Sequence, residues 1–336
     1  MKKELYTGYL KYKSIDFSFV FDGTSLSLIP PKEKEEEIEW QWLHKEIRPG
    51  CYVQGDSLIM ENSYLVGKCN ENNKKIIFLT QLNGVIGRNN LVLHVPLIAY
   101  IVCKIASNQF CGITFCSHEI DYVFPTNQVY NLSYNPKTIY ETGITTITTE
   151  TFQDSSTPDE YFKMGNIEIM SHFSSIRKTS FKPSNPPLTI NSCLVFKFKP
   201  TESYDSILQL VYIAKQFISY LSFRNDIAFT NIFLSSPYSN DKTISTAELI
   251  LIDQPFDKYE LALSKGRYIK AEYIKKNMGR ILESIANNTI YTQHIAESFD
   301  QSNHINAATF ILTVAAFEWE FKKFFPSGFI FITLFH

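Results

Sequence analysis

Residues 15–29 read IDFSFVFDGTSLSLI, and this stretch decides the class of the fold. In its first half, apolar residues alternate with polar or smaller neighbours, as in a strand with one buried face: Ile15, Phe17, Phe19 and Phe21. Asp22-Gly23 is typical of a hairpin turn, and Leu26 and Leu28 resume the alternation after it. The stretch therefore predicts two antiparallel strands.

Short apolar segments continue along the chain, separated by Gly, Asn and Pro. They predict strands over 51–55, 57–61, 63–69, 75–81, 90–95, 110–116, 165–176, 190–198, 227–234 and 247–252. Many short strands in succession are typical of a sandwich or barrel-like β-region. The polar segment 131–160 is compatible with a β-ribbon or a flexible insertion, and it is a possible subdivision of this region. KPSNPP at 182–187 is predicted to be a turn.

The hydrophobic period changes after Ser203, which is expected to cap a helix with Asp205 in its first turn. Apolar residues then recur three and four apart: Ile207, Leu210, Val211, Ala214, Phe217, Ile218 and Leu221. Two later stripes have the same period: Ala271, Ile274, Met278, Ile281 and Ile285, and Phe310, Val314, Phe317, Phe321 and Phe324. The predicted class is α+β, with a β-rich domain over 1–255 and a helical segment over 256–336.

The composition excludes several classes of protein. Of the 336 residues 44% are hydrophobic and 20% charged, which excludes wholesale disorder, and the net charge of −2 gives no global attraction to nucleic acid or membrane. No nucleophile elbow, phosphate-binding loop or His-Glu-x-x-His motif occurs. The N-terminus lacks the apolar run of a signal peptide, and the apolar stretch Leu91–Ala106 is too short and interrupted to span a bilayer. We expect a cytoplasmic protein without a membrane segment.

The six cysteines are scattered through the chain, and we expect them to be reduced and mostly buried. The tightest grouping is Cys111-x4-Cys116-x-His118. A zinc site usually shows a second, similarly spaced ligand pair, and none follows. No metal or other cofactor is therefore expected.

The segment from Lys258 to Arg280 is rich in basic residues, which is compatible either with an RNA-backbone contact or with a solvated helix face. The candidate RNA-binding residues are Lys265, Arg267, Lys270, Lys275, Lys276 and Arg280. Tyr268 and Tyr273 lie among them and suit either stacking on bases or packing. Near the C-terminus, Glu318 and Glu320 lie about 200° apart around a helix and cannot form a carboxylate pair, whereas Glu320 and Lys323 can pair across one turn.

Three segments, taken in order, carry a family resemblance. In LQLVYIAKQFISYLSFRNDIAFTNIFL (208–234) a helix leads through a basic–acidic turn, expected to be exposed, into a strand. The other two are the helix predicted over 268–286 and AATFILTVAAFEWEFKKFFP (307–326). Together they resemble the ApeA-type anti-phage proteins, which carry a β-rich N-terminal domain followed by a HEPN-like helical domain.

The resemblance implies defence against phage by RNA cleavage that halts the infected cell. HEPN ribonucleases place an Arg and a His, separated by four to six residues, on a helix near a dimer interface, where they position phosphate and serve acid–base chemistry or bind ribose. After Phe325 only PSGFIFITLFH follows, so we expect a truncated chain without the cleaving part; a terminal strand docked on the sheet is the alternative. The partners implied are a phage-derived trigger, RNA and, if the helical domain is complete, a second copy.

One string, Arg88-x5-His94, matches the HEPN spacing. Its context predicts a turn at Asn89-Asn90 and a strand over LVLHV, so we interpret it as a chance match. Three hypotheses follow. The first is the sensing or regulatory region of an ApeA-like defence protein, without nuclease activity in this chain. The second is a β-domain interaction module for a protein or glycan, and the last is a ribonuclease using Arg88 and His94.

Overall fold

The computed structural model describes most of the chain, and the structural statements below concern these residues: 5–38, 44–54, 57–60, 62–71, 73–81, 85–89, 92–105, 107–126, 130–133, 136–142, 148–152, 156–186, 188–239, 242–254, 268–302, 304 and 306–324.

Strands predominate in the first part of this mixed fold, and its last four elements are helices. The strands are β1 (Tyr6–Tyr12), β2 (Ile15–Phe21), β3 (Leu26–Ile29), β4 (His44–Arg48), β5 (Cys51–Gln54), β6 (Ser57–Ile59), β7 (Tyr64–Cys69), β8 (Lys75–Thr80), β9 (Val85–Asn89), β10 (Val92–Val95), β11 (Leu97–Cys103), β12 (Phe110–Cys116), β13 (Tyr130–Ser133), β14 (Thr148–Phe152), β15 (Glu160–Met164), β16 (Ile167–Thr179), β17 (Leu188–Thr201), β18 (Asn231–Ser239) and β19 (Lys242–Leu251). The helices are α1 (His118–Val123), α2 (Pro136–Thr142), α3 (Tyr204–Ser222), α4 (Ala271–Ile274), α5 (Met278–Ala286), α6 (Phe299–Ser302) and α7 (Ala307–Phe324), besides a 3₁₀ turn at Lys32–Lys34.

The chain forms two compact units, each built from segments far apart in sequence. Unit 1 comprises Met1–Ile113, Pro200–Leu208 and Asn231–Gln254. Unit 2 comprises Thr114–Lys199, Gln209–Thr230 and Pro255–His336. The chain passes between the units at Gln254–Pro255 and at four earlier points. The predicted division into a β-rich domain over 1–255 and a helical segment over 256–336 stays a prediction.

Unit 1 is an antiparallel sheet whose strands follow the order β18-β19-β11-β8-β7-β1-β2-β3-β10-β9-β6. The predicted hairpin is confirmed, because Phe19 pairs with Leu28 and Phe21 with Leu26. Its turn is fastened by Asp22, whose Oδ1 accepts hydrogen bonds from the backbone N–H groups of Thr24 (2.9 Å) and Ser25 (2.7 Å). The inward face of the sheet forms an aromatic-rich core, and its largest fully buried side chains are Tyr12, Phe17, Phe19, Phe21 and Phe78.

Strand β1 was not predicted. Its inward positions are Gly8, Leu10 and Tyr12, and Gly8 lacks the side chain that an alternation pattern needs. A Cβ at Gly8 would meet the backbone O of Lys68 in β7 and would lie 2.8 Å from Cε1 of Phe19 in β2, so both neighbouring strands leave no room for a side chain there. The hairpin is therefore part of a three-stranded meander.

In unit 2 the order is β15-β16-β17, and the long β16–β17 hairpin runs to either side of the predicted turn at 182–187. Phe196 packs edge-on against Phe115 and Phe162, each 5.3 Å away between ring centroids. The segment 131–160 contains helix α2 and the two-stranded ribbon β13–β14, which agrees with the ribbon alternative.

Helix α3 matches its prediction closely. All seven residues of the predicted stripe are at most 1% exposed. Ser203 caps the helix, because its Oγ accepts a hydrogen bond from the N–H of Ser206 at 3.2 Å.

The α+β class is confirmed, with antiparallel sheets as its main component. The expected sandwich or barrel-like arrangement of the β-region stays a prediction. Among the helices of the described residues, none combines the length and apolarity needed to cross a bilayer.

Candidate nucleic-acid interface

The predicted helix over 268–286 is two short helices, α4 and α5, separated by a turn at residues 275–277. Ile281 of the predicted stripe is only half-buried, but the break leaves the rest of the stripe intact, since Ala271, Ile274, Met278 and Ile285 are all buried, and Leu282 joins them. Burial of these five residues fixes which side of the segment faces solvent. Packing of the apolar side, rather than helix propensity, therefore determines which polar residues face solvent.

Helix α5 lies against the free edge of β15. An added Cβ at Gly279 would lie 2.4 Å from the backbone O of Tyr161 and 3.2 Å from Oε2 of Glu160, so only glycine allows this approach. Strand β15 pairs with β16 on its other side, where Ser171 Oγ donates to the backbone O of Glu160 at 3.0 Å. The helix therefore covers a sheet edge that would otherwise offer unpaired backbone groups.

Four of the six predicted RNA-binding residues lie on the solvent side of this segment: Lys270, Lys275, Lys276 and Arg280. We call these four the cationic strip. The exposed Glu272 is the one carboxylate within residues 270–280. The other two predicted residues, Lys265 and Arg267, lie outside the described residues.

The two tyrosines of the segment differ in accessibility. Tyr273 is 73% exposed and can meet a ligand of the cationic strip. Tyr268 instead stacks on Tyr122 with ring centroids 5.1 Å apart and an interplanar angle of 13°. Burial raises the pKa of the Tyr268 hydroxyl well above its ordinary value, so this tyrosine is a packing residue.

The basic–acidic turn after α3 was expected to be exposed; Asn225 is exposed, but the expectation is wrong for Arg224. Arg224 is 3% exposed and forms an ion pair with Glu119 of α1, which is equally buried. Its Nη1 lies 3.2 Å from Oδ1 of Asp226, and its guanidinium lies over the Phe299 ring at 5.7 Å. Paired burial explains the difference, because an arginine becomes acceptable in a core once carboxylates surround it. The cluster joins three parts of unit 2 and offers no accessible reactive group.

The Arg88–His94 match lies on a β-hairpin rather than a helix. His94 pairs with Gly87, whereas Arg88 pairs with Leu93. The exposed His94 lies on the strand with its Nδ1 3.1 Å from Oγ of Ser27. The predicted strand is confirmed over β10. In the predicted turn, Asn89 is the last residue of β9, and residues 90–91 lie outside the described residues. This arrangement lacks the helical setting of a HEPN pair.

The cysteines are free thiols, and five of the six are buried. Burial raises the pKa of Cys116 to about 11 and that of Cys193 to about 12, so neither is a ready nucleophile. Cys111 and Cys116 lie on one extended strand, five positions and roughly 16 Å apart. Within the described residues no three His, Cys, Asp or Glu side chains are grouped so that they could hold a metal ion.

Helix α7 shows the largest departure from the predicted packing. Of its predicted apolar stripe, Phe310 and Phe317 are 64% and 68% exposed and Val314 is also exposed, whereas the buried position of the helix is Ala316. The predicted Glu320–Lys323 ion pair is present at 3.1 Å. Glu320 has a further role that the sequence did not reveal, because its Oε1 also accepts from the backbone N–H of Tyr291 at 3.4 Å.

No family model, curated protein or solved structure matches this chain.

Proposed function

We propose that this chain is the sensing or regulatory region of an anti-phage defence protein resembling the ApeA type, and that it holds RNA by its phosphates without cutting it. The observation that carries the RNA contact is the cationic strip: four exposed cations within residues 270–280, held on one side of a segment whose other side is buried. Lysine and arginine at such spacing neutralise successive phosphates without reading sequence.

Retention without cleavage is supported by the helices. In the described residues no helix carries an Arg and a His separated by four to six residues, and Arg88–His94 lies in strands. The exposed Tyr273 adds a ring on which an unpaired base can stack beside the bound backbone. The β-rich region is the proposed sensor, and a phage-derived molecule is its proposed trigger.

Phage challenge tests the defence role in the cells that encode the protein. We expect the intact gene to lower the number of plaques relative to a deletion strain. The charge reversal Lys275→Glu, Lys276→Glu and Arg280→Glu should remove this protection, while a control of equal net charge, Lys182→Glu, Lys197→Glu and Lys199→Glu, should keep it. Equal plaque numbers with and without the gene contradict the defence role. If the variant with the charge reversal in the cationic strip still protects the cells, RNA binding by the strip has no role in the defence.

A second candidate, an interaction module for a protein or glycan, is favoured by the outer face of unit 1. Tyr9 of β1 is 52% exposed and lies opposite Lys68 of β7, two positions from the exposed Val66. Exposed aromatic and aliphatic side chains on a flat sheet face suit a macromolecular partner. Capture of a protein or glycan that is lost in Tyr9→Ala but kept in the strip variant would favour this function.

A further inference from the structure

Unit 2 contains a surface pocket of about 330 Å³ that none of the preceding proposals uses. Its walls come from α3, α5, α7 and the loop that follows α5. The residues that give it chemical character are two aromatics and four neutral polar side chains: Tyr291, Trp319, Gln216, Asn288, Gln293 and Thr292. The volume lies at the lower end of the range for small-molecule sites, which is about 300–1,000 Å³.

The aromatic residues form a single wall. The rings of Tyr291 and Trp319 have centroids 6.3 Å apart and are inclined by 46°, so they touch each other instead of leaving a slot between them. Trp319 remains 51% exposed. A planar ligand can therefore stack on the open surface of its indole ring.

The wall is held in place before any ligand arrives. Trp319 Nε1 donates to the backbone O of Thr289 at 3.2 Å, and Lys323 Nζ donates to the same oxygen. The N–H of Thr289 in turn donates to the backbone O of Ser284 in α5 at 2.8 Å. Because the loop is tied to both helices, little conformational entropy remains to be lost on binding.

The polar side chains of the pocket carry no charge. Each carboxamide of Gln216, Asn288 and Gln293 presents two N–H donors and one acceptor oxygen. Behind the aromatic wall, His294 stacks on Tyr291 at 6.0 Å, and burial lowers its pKa, which keeps the ring neutral near pH 7. The charges nearest the pocket offset each other, because Lys323 Nζ, 6.0 Å from the centroid of the Trp319 ring, pairs with Glu320 at 3.1 Å. A lining of neutral polar side chains suits a neutral ring with donors and acceptors on its edge.

We propose that this pocket binds a nucleobase, which stacks on Trp319 and hydrogen-bonds to the carboxamides of Gln216, Asn288 and Gln293. Aromatic side chains and carboxamides are the groups with which proteins stack and pair bases. The base belongs either to a free nucleoside or nucleotide, or to an unpaired position in RNA. The inference does not rest on the proposed function, because none of these residues belongs to the cationic strip.

Isothermal titration calorimetry of the full chain with adenosine, guanosine, cytidine and uridine tests the proposal without any phosphate for the cationic strip to hold. We expect saturable binding of at least one nucleoside. Trp319→Ala should weaken it by about tenfold or more and Gln293→Ala by about fivefold, whereas Trp319→Phe should keep most of the affinity. Phe317→Ala is the control on the same helix, because it removes an aromatic outside the pocket that is 68% exposed, against 51% for Trp319.

The same titration with a short single-stranded RNA distinguishes the two sources of the base. Binding of nucleosides identifies a free small molecule as a sufficient ligand, and saturable binding of RNA alone that Gln293→Ala weakens identifies an unpaired base. The proposal is overturned if neither the nucleosides nor the RNA binds. It is also overturned if Gln293→Ala, Trp319→Phe and Trp319→Ala all leave the affinity unchanged while Trp319→Ala is still folded by circular dichroism.

Discussion

Helices α5 and α7 were both predicted from apolar residues spaced three and four apart, but their surroundings are opposite. The stripe of α5 is buried, with Met278 and Leu282 at most 1% exposed, and Gly279 brings its backbone against β15. The stripe of α7 faces outward, and Phe310 and Phe317 are more than 60% exposed. A helical period thus predicts the helix in both cases, but it does not predict whether the apolar side finds a partner. Helix α5 therefore belongs to the core, whereas α7 forms one wall of a pocket.

The largest expected effect separates the two stripes directly. Leu282→Ala should destabilise the protein by about 2–5 kcal/mol, because it removes a fully buried side chain and leaves a cavity. Phe317→Ala should change the free energy of unfolding by less than about 0.5 kcal/mol, since its ring is 68% exposed. Urea unfolding followed by circular dichroism compares them, and equal losses would show that the α7 stripe is packed.

The next effect concerns the contact that positions α5. In a free helix Gly→Ala is stabilising by about 1 kcal/mol, yet Gly279→Ala should destabilise by about 1–3 kcal/mol, because the new Cβ would meet the Tyr161 carbonyl at 2.4 Å. The measurement is again the urea midpoint. An increase in stability would mean that α5 does not lie against β15.

A smaller effect distinguishes the N-termini of the same helices. Asn306 caps α7, with its Oδ1 accepting from the N–H of Thr309 at 2.8 Å, whereas Asn277 makes no side-chain hydrogen bond at the start of α5. Asn306→Ala should therefore cost about 1 kcal/mol and Asn277→Ala only a few tenths. Thermal unfolding of the two variants gives the comparison. The reverse order would contradict the assigned cap.

The smallest effect is a pH dependence at the pocket. Burial places the folded pKa of His294 below its ordinary value, against the opposing charge of Glu320. As the pH falls, the unfolded chain therefore binds a proton before the folded chain does. The contribution of this histidine to the free energy of unfolding is present above about pH 6.5 and is lost as the pH falls through the folded pKa. Between about pH 7.5 and pH 5.5 the wild type should lose more thermal stability than His294→Gln. His172, also shifted downward, is present in both proteins, so their difference isolates His294.

Sequence patterns predicted the strands and helices that have one buried face. The alternation of Phe17, Phe19 and Phe21 and the period of α3 correspond directly to buried surfaces, since both patterns arise from contact with a core. Strand β1 escaped prediction because Gly8 interrupts its alternation. Arg224 was misplaced because its partner Glu119 lies more than a hundred residues away, and no local pattern reports such a pairing.

The two candidate sites also differ in whether the sequence alone reveals them. The cationic strip was visible in the sequence, because its residues are neighbours along the chain. The pocket was not, since Gln216, Gln293 and Trp319 come from three distant segments. Tyr268 and Tyr273 looked equivalent, and only the stacking on Tyr122 separates a packing residue from an accessible one.

Binding of a labelled single-stranded RNA, followed by fluorescence polarisation over a range of salt, tests the RNA contact most directly. Four phosphate contacts predict a slope of log K against log salt of about −3, and the charge reversal at Lys275, Lys276 and Arg280 should reduce its magnitude by about two. The control reversal at Lys182, Lys197 and Lys199 should leave the slope unchanged. An equal loss of affinity in both variants, or no RNA binding by the wild type, would contradict the account.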